Sequence, residues 1–310
     1  MPHERTQKTR SPRRLARAVL LLTLTAPSLA AAERETLVLA PTLFDSRADA
    51  IRSQVGPAAF VESLLNQPVS VENILRYERV IEGFENGEID LAILGPLPYV
   101  RLSQRYPQIE PLVRFRDTDG RDHYHCTLVA FADNRMPLAD HAGARLALTQ
   151  PYSTCGYFAA ATILEQAGID VAATDFEFIG RHDSIAINVV AGRYDIGIVK
   201  DHLAERFASV GLVPLAHTMP LPGFTLVANT RTLDETTRAQ LREGFLGINS
   251  EEAARSGNWP ANMINGTMPA TDADYDRIRG EFARVRFPEA SGGTAGEPTP
   301  AGRTEPGTGP

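Results

Sequence analysis

The chain has 310 residues, of which 31 are Lys or Arg and 38 are Asp or Glu, and its formal net charge is −7 at pH 7. Hydrophobic residues make up 43% and charged residues 22%, a balance that excludes a wholly disordered chain and a protein with several membrane spans. Six of the basic residues lie within the first 17 positions, so the remainder is more acidic than the whole. An acidic body argues against nucleic acid as a partner. The length suits one large domain or two smaller ones.

Lysine is rare in this sequence. The two lysines are Lys8 and Lys200, and every other basic side chain apart from histidine is arginine. We interpret this imbalance as genome bias and attach no function to it.

The first 32 residues are typical of a secretory signal peptide. A basic stretch precedes the apolar run Ala18–Ala26 (AVLLLTLTA), Pro27 follows, and small residues continue to Ala32. The run is shorter than the roughly 20 residues that span a bilayer, although a retained anchor is the alternative. We predict cleavage near Glu33, export, and no membrane insertion after processing.

The body alternates buried strands with amphipathic helices in chain order. A strand is predicted over Thr36–Ala40, a helix over Asp49–Leu65, a helix beginning at Tyr77, and a strand over Ile89–Leu94 that is covered on both faces. The same pattern returns about a hundred residues later, where a helix stops at Gly192 and the strand Tyr194–Val199 follows. The last residues, 291–310, are rich in Gly and Pro and are predicted to be a flexible tail.

The repeat predicts an α/β protein with two lobes. The strand candidates Tyr124–Phe131 and Met219–Asn229 would carry the chain out of the first lobe and back into it. The lobes are then residues 33–125 plus 224–288, which form a discontinuous first lobe, and residues 126–223, which form the second. A ligand in such a fold lies in the cleft, beside helix N-termini at strand ends.

Three consecutive polar side chains open the helix predicted after Pro151. Ser153, Thr154 and Cys155 precede Gly156. One hydroxyl is enough to cap a helix, so this segment is either a cap or an anion cradle made of hydroxyls, backbone N–H groups and the helix dipole. His182 opens the next helix at the same predicted sheet edge. It is either a structural histidine or a ligand contact.

Two tyrosines are candidate walls of the cleft. Tyr99 follows the sharp turn Gly95-Pro96, and Tyr77 begins the preceding helix. The alternatives are that the segment before Tyr99 is only a turn and that Tyr77 is only a partly buried aromatic.

The two cysteines, Cys126 and Cys155, leave three interpretations open. An exported chain with two cysteines can form one disulfide, or the pair can bind a soft ligand. Cys155 with His182 could also serve a thiol-dependent hydrolase, but no hydrolase motif surrounds either residue. Because no nucleotide loop or metal motif is present either, we predict no catalytic residue, cofactor or metal.

The sequence resembles the periplasmic substrate-binding proteins of phosphonate, phosphite and phosphate ABC transporters. The stretches that carry the resemblance are Tyr77 with its helix, IDLAILGPLPYV (89–100), Tyr124 with its strand, PYSTCGYF (151–158), His182-Asp183 and PLPGF (220–224). The resemblance implies the type II binding-protein fold, with two lobes joined by a two-strand hinge. It also implies a small oxyanion as ligand, an ABC permease as partner and a periplasmic location.

The same resemblance implies the ligand contacts. Tyr77, Tyr124, the Ser153-Thr154 hydroxyls and His182 would hold the oxyanion, while Cys155 replaces the third hydroxyl of the family motif. Aminophosphonate binders of the family use carboxylates where this chain has His202 and Phe224, so an amine-bearing ligand is not expected. Arsenite-binding relatives that feed a sensor kinase use a cysteine, which keeps arsenite, bound through Cys126, as the alternative.

Overall fold

The computed structural model describes residues 35–40, 55–72, 74 and 76–287. The predicted signal peptide, the start of the helix predicted over residues 49–65 and the predicted tail over residues 291–310 lie outside these residues. Within the described part, no helix is both long enough and apolar enough to cross a membrane.

The strands of the described residues are short. In chain order they are β1 (Leu37–Ala40), β2 (Val69–Val71), β3 (Leu91–Leu94), β4 (Ile109–Phe115), β5 (His123–Tyr124), β6 (Cys126–Phe131), β7 (Arg145–Leu148), β8 (Asp175–Phe178), β9 (Ile196–Lys200), β10 (Leu212–His217), β11 (Leu221–Pro222), β12 (Thr225–Asn229) and β13 (Thr267–Pro269).

Helices alternate with these strands. In chain order they are α1 (Val55–Leu65), α2 (Tyr77–Glu85), α3 (Pro96–Arg105), α4 (Ala159–Glu165), α5 (His182–Val190), α6 (Asp201–Phe207), α7 (Glu235–Leu246), α8 (Ser250–Ser256) and α9 (Asp276–Phe282). A π-helical turn, Thr154–Phe158, precedes α4.

The strands form two separate mixed sheets. The first sheet has the order β13-β4-β12-β3-β1-β2, and the second has the order β10-β6-β9-β7-β8. In the first sheet β1 runs parallel to β2 and β3, while β12 returns antiparallel between β3 and β4. The predicted α/β class is therefore confirmed.

A small pair of strands carries the chain between the sheets. β5 and β11 pair antiparallel, with Tyr124 opposite Leu221 and His123 opposite Pro222. The chain leaves the first sheet after β4 and returns to it as β12, so the two sheets share no strand. This arrangement agrees with the predicted lobe boundaries, but the division into two lobes stays a prediction.

Both predicted crossover strands are interrupted where the chain changes partners. The strand expected over Tyr124–Phe131 breaks at His125, whose backbone is held by Asp201. The strand expected over Met219–Asn229 breaks at Gly223 and Phe224. Gly223 lies so close to the end of β4 that a Cβ would be 2.0 Å from the Phe115 carbonyl oxygen. The interruption therefore requires glycine.

Helix α2 packs as its sequence pattern predicts. Val80, Ile81 and Phe84 are buried on one face. The helix ends at Glu85, Asn86 is its C-cap, and Gly87 follows with a positive φ of 69°. β3 is buried along its whole length, as expected for a strand covered on both faces. Asn229 joins these elements, because its side-chain amide donates to the carbonyl oxygens of Phe84 and Ile89.

Candidate functional site

Thr154 joins the ends of strands from the two sheets. It follows β7 of the second sheet, it is buried, and its Oγ1 accepts a hydrogen bond from the backbone N–H of Leu97 at 3.0 Å. Leu97 lies in the first turn of α3, directly after β3 of the first sheet. Gly95 lies beside both groups, since a Cβ there would be in ordinary contact with Thr154 Oγ1 at 3.4 Å and with the Phe224 ring at 3.6 Å.

The segment Ser153–Gly156 is not a simple helix cap. Ser153 makes no capping hydrogen bond, and the Thr154 hydroxyl is directed to Leu97 instead. The backbone at Cys155 and Gly156 is not helical, so the α-helix expected to open here begins only at Ala159. Gly156 is required in this turn, because a Cβ would meet the Gln150 carbonyl oxygen at 2.4 Å. Capping therefore does not account for these hydroxyls, and the anion cradle stays a prediction.

Tyr124 lies against Thr154 at the crossover pair. Burial raises the pKa of the Tyr124 hydroxyl far above its ordinary value, and the Thr154 side chain beside it opposes this only in part. The nearby Tyr77, the first residue of α2, raises the pKa of Tyr124 further. Tyr124 is thus a buried, uncharged donor and acceptor beside Thr154, with Tyr77 close to it.

The two cysteines form a disulfide. Cys126 at the start of β6 is bonded to Cys155 in the cradle segment, and both are buried. This outcome corrects the interpretations that needed a free thiol: a soft-ligand pair, arsenite bound through Cys126, and a Cys155 nucleophile. The bond instead ties the cradle segment to the strand that leaves the crossover pair.

Two histidines with lowered pKa values lie near Lys200. His182 begins α5, and its pKa is lowered to about 3, first by burial and then by the positive charge of Lys200. Burial and Lys200 likewise lower the pKa of His202 in α6. Among the described residues, the Nδ1 atoms of both histidines are buried without a hydrogen-bond partner. Each ring can therefore offer a neutral polar contact to a ligand.

Lys200 lies among the candidate residues, although its sequence pattern was attributed to genome bias. It ends β9, and its Nζ lies 2.8 Å from Asp117 Oδ1, 4.1 Å from the centre of the Tyr124 ring and 5.5 Å from the centre of the Phe224 ring. Both members of the ion pair are buried. The signal was present in the sequence: an isolated lysine in an arginine-rich chain directly follows a buried strand, where ligand sites of α/β folds lie.

Positive groups balance the acidic residues beside Lys200. Asp201 Oδ2 accepts hydrogen bonds from Arg121 Nη2 and from the backbone N–H of His125, both at 3.2 Å. Asp117, Asp201 and His202 come close enough together to hold a metal ion. Because Lys200 and Arg121 already pair with the two carboxylates, we interpret the group as an ion-pair network and assign no metal to it.

Tyr99 is not brought together with the other candidates. Its hydroxyl donates to Asp272 Oδ1 at 2.8 Å, and its ring lies 4.1 Å from that of Tyr275. The side chain therefore packs against the C-terminal segment, and burial raises its pKa. These contacts direct Tyr99 away from the other candidates, whereas Phe224 lies beside Gly95 and Lys200. A ligand contact of either residue stays a prediction.

Known proteins share this fold. The chain is similar to PhnD1 from Prochlorococcus marinus (MIT 9301) in complex with methylphosphonate, with a TM-score of 0.69 and 16% identity over 81% of this chain and 98% of that one. It is also similar to a binding protein component of an ABC phosphonate transporter (PA3383) from Pseudomonas aeruginosa, with a TM-score of 0.65 and 18% identity over 80% and 85%. These likenesses confirm the predicted type II binding-protein fold.

Sequence comparison identifies the family. The chain is 25% identical over 276 residues to the phosphate-import protein PhnD of Mycolicibacterium smegmatis, covering 79% of this chain and 84% of the relative. These proteins serve transport, which confirms the expectation of a binding protein rather than an enzyme and gives no support to arsenite. The model of the periplasmic substrate-binding proteins of phosphonate ABC transporters matches residues 46–275. The chain therefore belongs to this family of periplasmic binding proteins.

Proposed function

We propose that the protein captures a small phosphorus oxyanion, of the methylphosphonate, phosphite or phosphate type, for an ABC importer. The observation that carries this proposal is the contact of Thr154 with Leu97 and Tyr124, which gathers hydroxyl and backbone donors from both sheets at one point. Neutral donors suit such an anion, since hydrogen bonds to charged groups are about twice as strong as neutral ones.

The ligand range of the proposal is supported by the relatives. One of them is named for phosphate import, and another is seen with methylphosphonate. Methylphosphonate carries three oxygen atoms on a tetrahedral phosphorus and phosphate carries four, and either set matches a site of several hydroxyls. We place Tyr77, Tyr124, Ser153, Thr154 and His182 around these oxygens and Phe224 beside the substituent on phosphorus.

Closure of two lobes would deliver the ligand. We propose that the first sheet with its helices and the second sheet with its helices move about the β5–β11 pair. Supporting this, the strand connections between the two sheets pass through that pair, since β4 leads to β5 and β11 leads to β12. Binding energy from both sheets would then hold the closed form for a permease. We further propose that residues 1–32 are the signal peptide and that the role is uptake rather than sensing.

Calorimetric titration tests the ligand class. Protein purified from the periplasmic fraction is titrated with methylphosphonate, phosphite, phosphate and arsenite, each with and without reductant. We expect one-to-one binding of at least one phosphorus oxyanion and no heat with arsenite in either condition. Arsenite binding without any phosphorus oxyanion binding would overturn the proposal.

A further inference from the structure

We infer that Lys200 is a built-in ammonium that fills a ready-made cation subsite next to the oxyanion cradle, and so makes the protein reject aminoalkylphosphonates. The inference rests on the proposed function and specifies its ligand class: phosphonates without an amine. It follows that removing the lysine ammonium opens the subsite to a ligand that carries an ammonium group.

The surroundings of Nζ are those that recognise an ammonium ion. Asp117 Oδ1 lies 2.8 Å away, and the faces of Tyr124 and Phe224 lie 4.1 and 5.5 Å from it. One carboxylate with aromatic rings is a common site for alkylammonium groups. Because Lys200 is itself buried, solvent screens its charge only weakly, and the charge acts on the neighbouring protein groups.

The subsite lies at the correct end of the cleft for the tail of a phosphonate. Tyr124 touches both places, since its hydroxyl lies beside Thr154 and its ring lies beneath Nζ. Phe224 also reaches both, as its ring lies next to Gly95 and within range of Nζ. The two places are therefore one tyrosine side chain apart, a span that a two-carbon chain between phosphorus and nitrogen can match.

The presence of Asp117 changes what the sequence predicted about amines. The sequence analysis expected no amine binding because His202 and Phe224 stand where relatives have carboxylates. The structure shows a carboxylate at the cleft, supplied instead by the segment between β4 and β5, but already paired with Lys200. Asp201 does not offer a second one, because Arg121 and two backbone N–H groups engage it.

A set of three phosphonates tests the inference. Wild type, Lys200→Ala and the double variant Lys200→Ala/Asp117→Asn are titrated with methylphosphonate, ethylphosphonate and 2-aminoethylphosphonate. The measured quantity is the ratio of association constants for 2-aminoethylphosphonate and ethylphosphonate, which share a backbone and differ in the amine. We expect a ratio of one or less in wild type, a ratio raised about tenfold or more in Lys200→Ala, and loss of that gain in the double variant.

Two outcomes would overturn the inference while leaving the proposed function intact. One is an unchanged ratio in a Lys200→Ala variant that still binds methylphosphonate. The other is loss of all three phosphonates by a folded Lys200→Ala variant, which would make Lys200 a direct contact of the oxyanion. Failure of the proposed function is separate, since wild type itself would then bind no phosphonate.

A rescue experiment covers the case in which Lys200→Ala does not fold, because Asp117 would be left buried without a partner. The variant is refolded with and without methylammonium chloride, with sodium chloride as the matched salt control. We expect methylammonium to restore folding and methylphosphonate binding to Lys200→Ala and to have no effect on the double variant. No rescue, or equal rescue by both salts, would overturn the inference.

Discussion

Thr154 Oγ1 and the backbone N–H of Leu97 are 3.0 Å apart, and this single hydrogen bond connects the cradle segment of the second sheet with the first turn of α3 on the first sheet. The Thr154 hydroxyl thus satisfies a first-turn N–H of α3, whose own N-cap residue, Gly95, has no side chain to do so. The bond therefore links the two sheets at the point where we place the oxyanion.

Replacing Thr154 with Val tests this link. The change keeps the shape of the side chain but leaves the Leu97 N–H without its acceptor, which costs about 1–3 kcal/mol for a buried group. We expect a matching loss of unfolding free energy in urea and weaker binding of methylphosphonate. The control is Thr162→Val in α4, where the hydroxyl bonds only to carbonyls of its own helix region. Equal effects of the two substitutions would contradict the account.

The disulfide is expected to stabilise the protein and to hold the cradle in place. Cys126 and Cys155 are 29 residues apart, a loop for which chain entropy predicts about 3–4 kcal/mol. We expect Cys126→Ala/Cys155→Ala to lower the unfolding free energy by this order and to weaken methylphosphonate binding. Reductant should lower the stability of wild type but not of the variant. A variant as stable as oxidised wild type would show that the bond contributes nothing.

The stability of the protein should fall on the acid side through His182. Its pKa is about 3 in the folded protein and about 6.5 in an unfolded chain. Only the unfolded state takes up this proton as the pH falls below about 6.5, so the histidine's contribution is fully present above that pH and is lost progressively toward pH 3. His202, with a pKa lowered in the same direction, adds to the effect.

Unfolding in urea at pH 8, 6 and 5 measures this dependence. His182→Gln removes the titrating group, so its unfolding free energy should decrease less than that of wild type between pH 8 and pH 5. At pH 8 His182 is neutral in folded and unfolded wild type. The difference in unfolding free energy between wild type and His182→Gln at that pH therefore reports packing alone. Parallel pH dependences of the two proteins would contradict the lowered pKa.

Gly156 should be intolerant of a side chain. A Cβ there would lie 2.4 Å from the Gln150 carbonyl oxygen, so Gly156→Ala must displace the cradle backbone. We expect a loss of both stability and methylphosphonate affinity. The matched control is Gly280→Ala in α9, where a Cβ meets nothing within 4 Å and helix propensity predicts a gain of about 0.5–1 kcal/mol. An unchanged affinity in Gly156→Ala would show that the cradle does not depend on this turn.

The sequence alone predicted the sheet edge at which we place the site, because buried strands followed by hydroxyl or histidine residues mark the carboxyl ends of strands. It could not predict the direction of Tyr99, since a turn such as Gly95-Pro96 does not set the rotational phase of the helix that follows. Nor could it choose between a disulfide and free thiols, which depends on the 5.2 Å separation of the two Cα atoms.

Lys200 was overlooked for a different reason. The scarcity of lysine was attributed to genome bias, whereas the position of Lys200 at the end of a buried strand, β9, indicated a place where ligand sites lie. The role of Asp117 was not predictable in the same way, because it lies between β4 and β5 and reaches Lys200 only through the crossover of the chain, 83 residues away in sequence.

The central claim is that the Ser153-Thr154 segment holds a phosphorus oxyanion, and calorimetric titration of Ser153→Ala/Thr154→Ala tests it most directly. Each hydrogen bond to a charged group contributes about 1.5–3 kcal/mol, and about 1.4 kcal/mol corresponds to tenfold in affinity. We predict that the double variant, folded as judged by circular dichroism, binds methylphosphonate, phosphite or phosphate more than about tenfold more weakly than wild type. An unchanged affinity for whichever of these wild type binds would contradict the account.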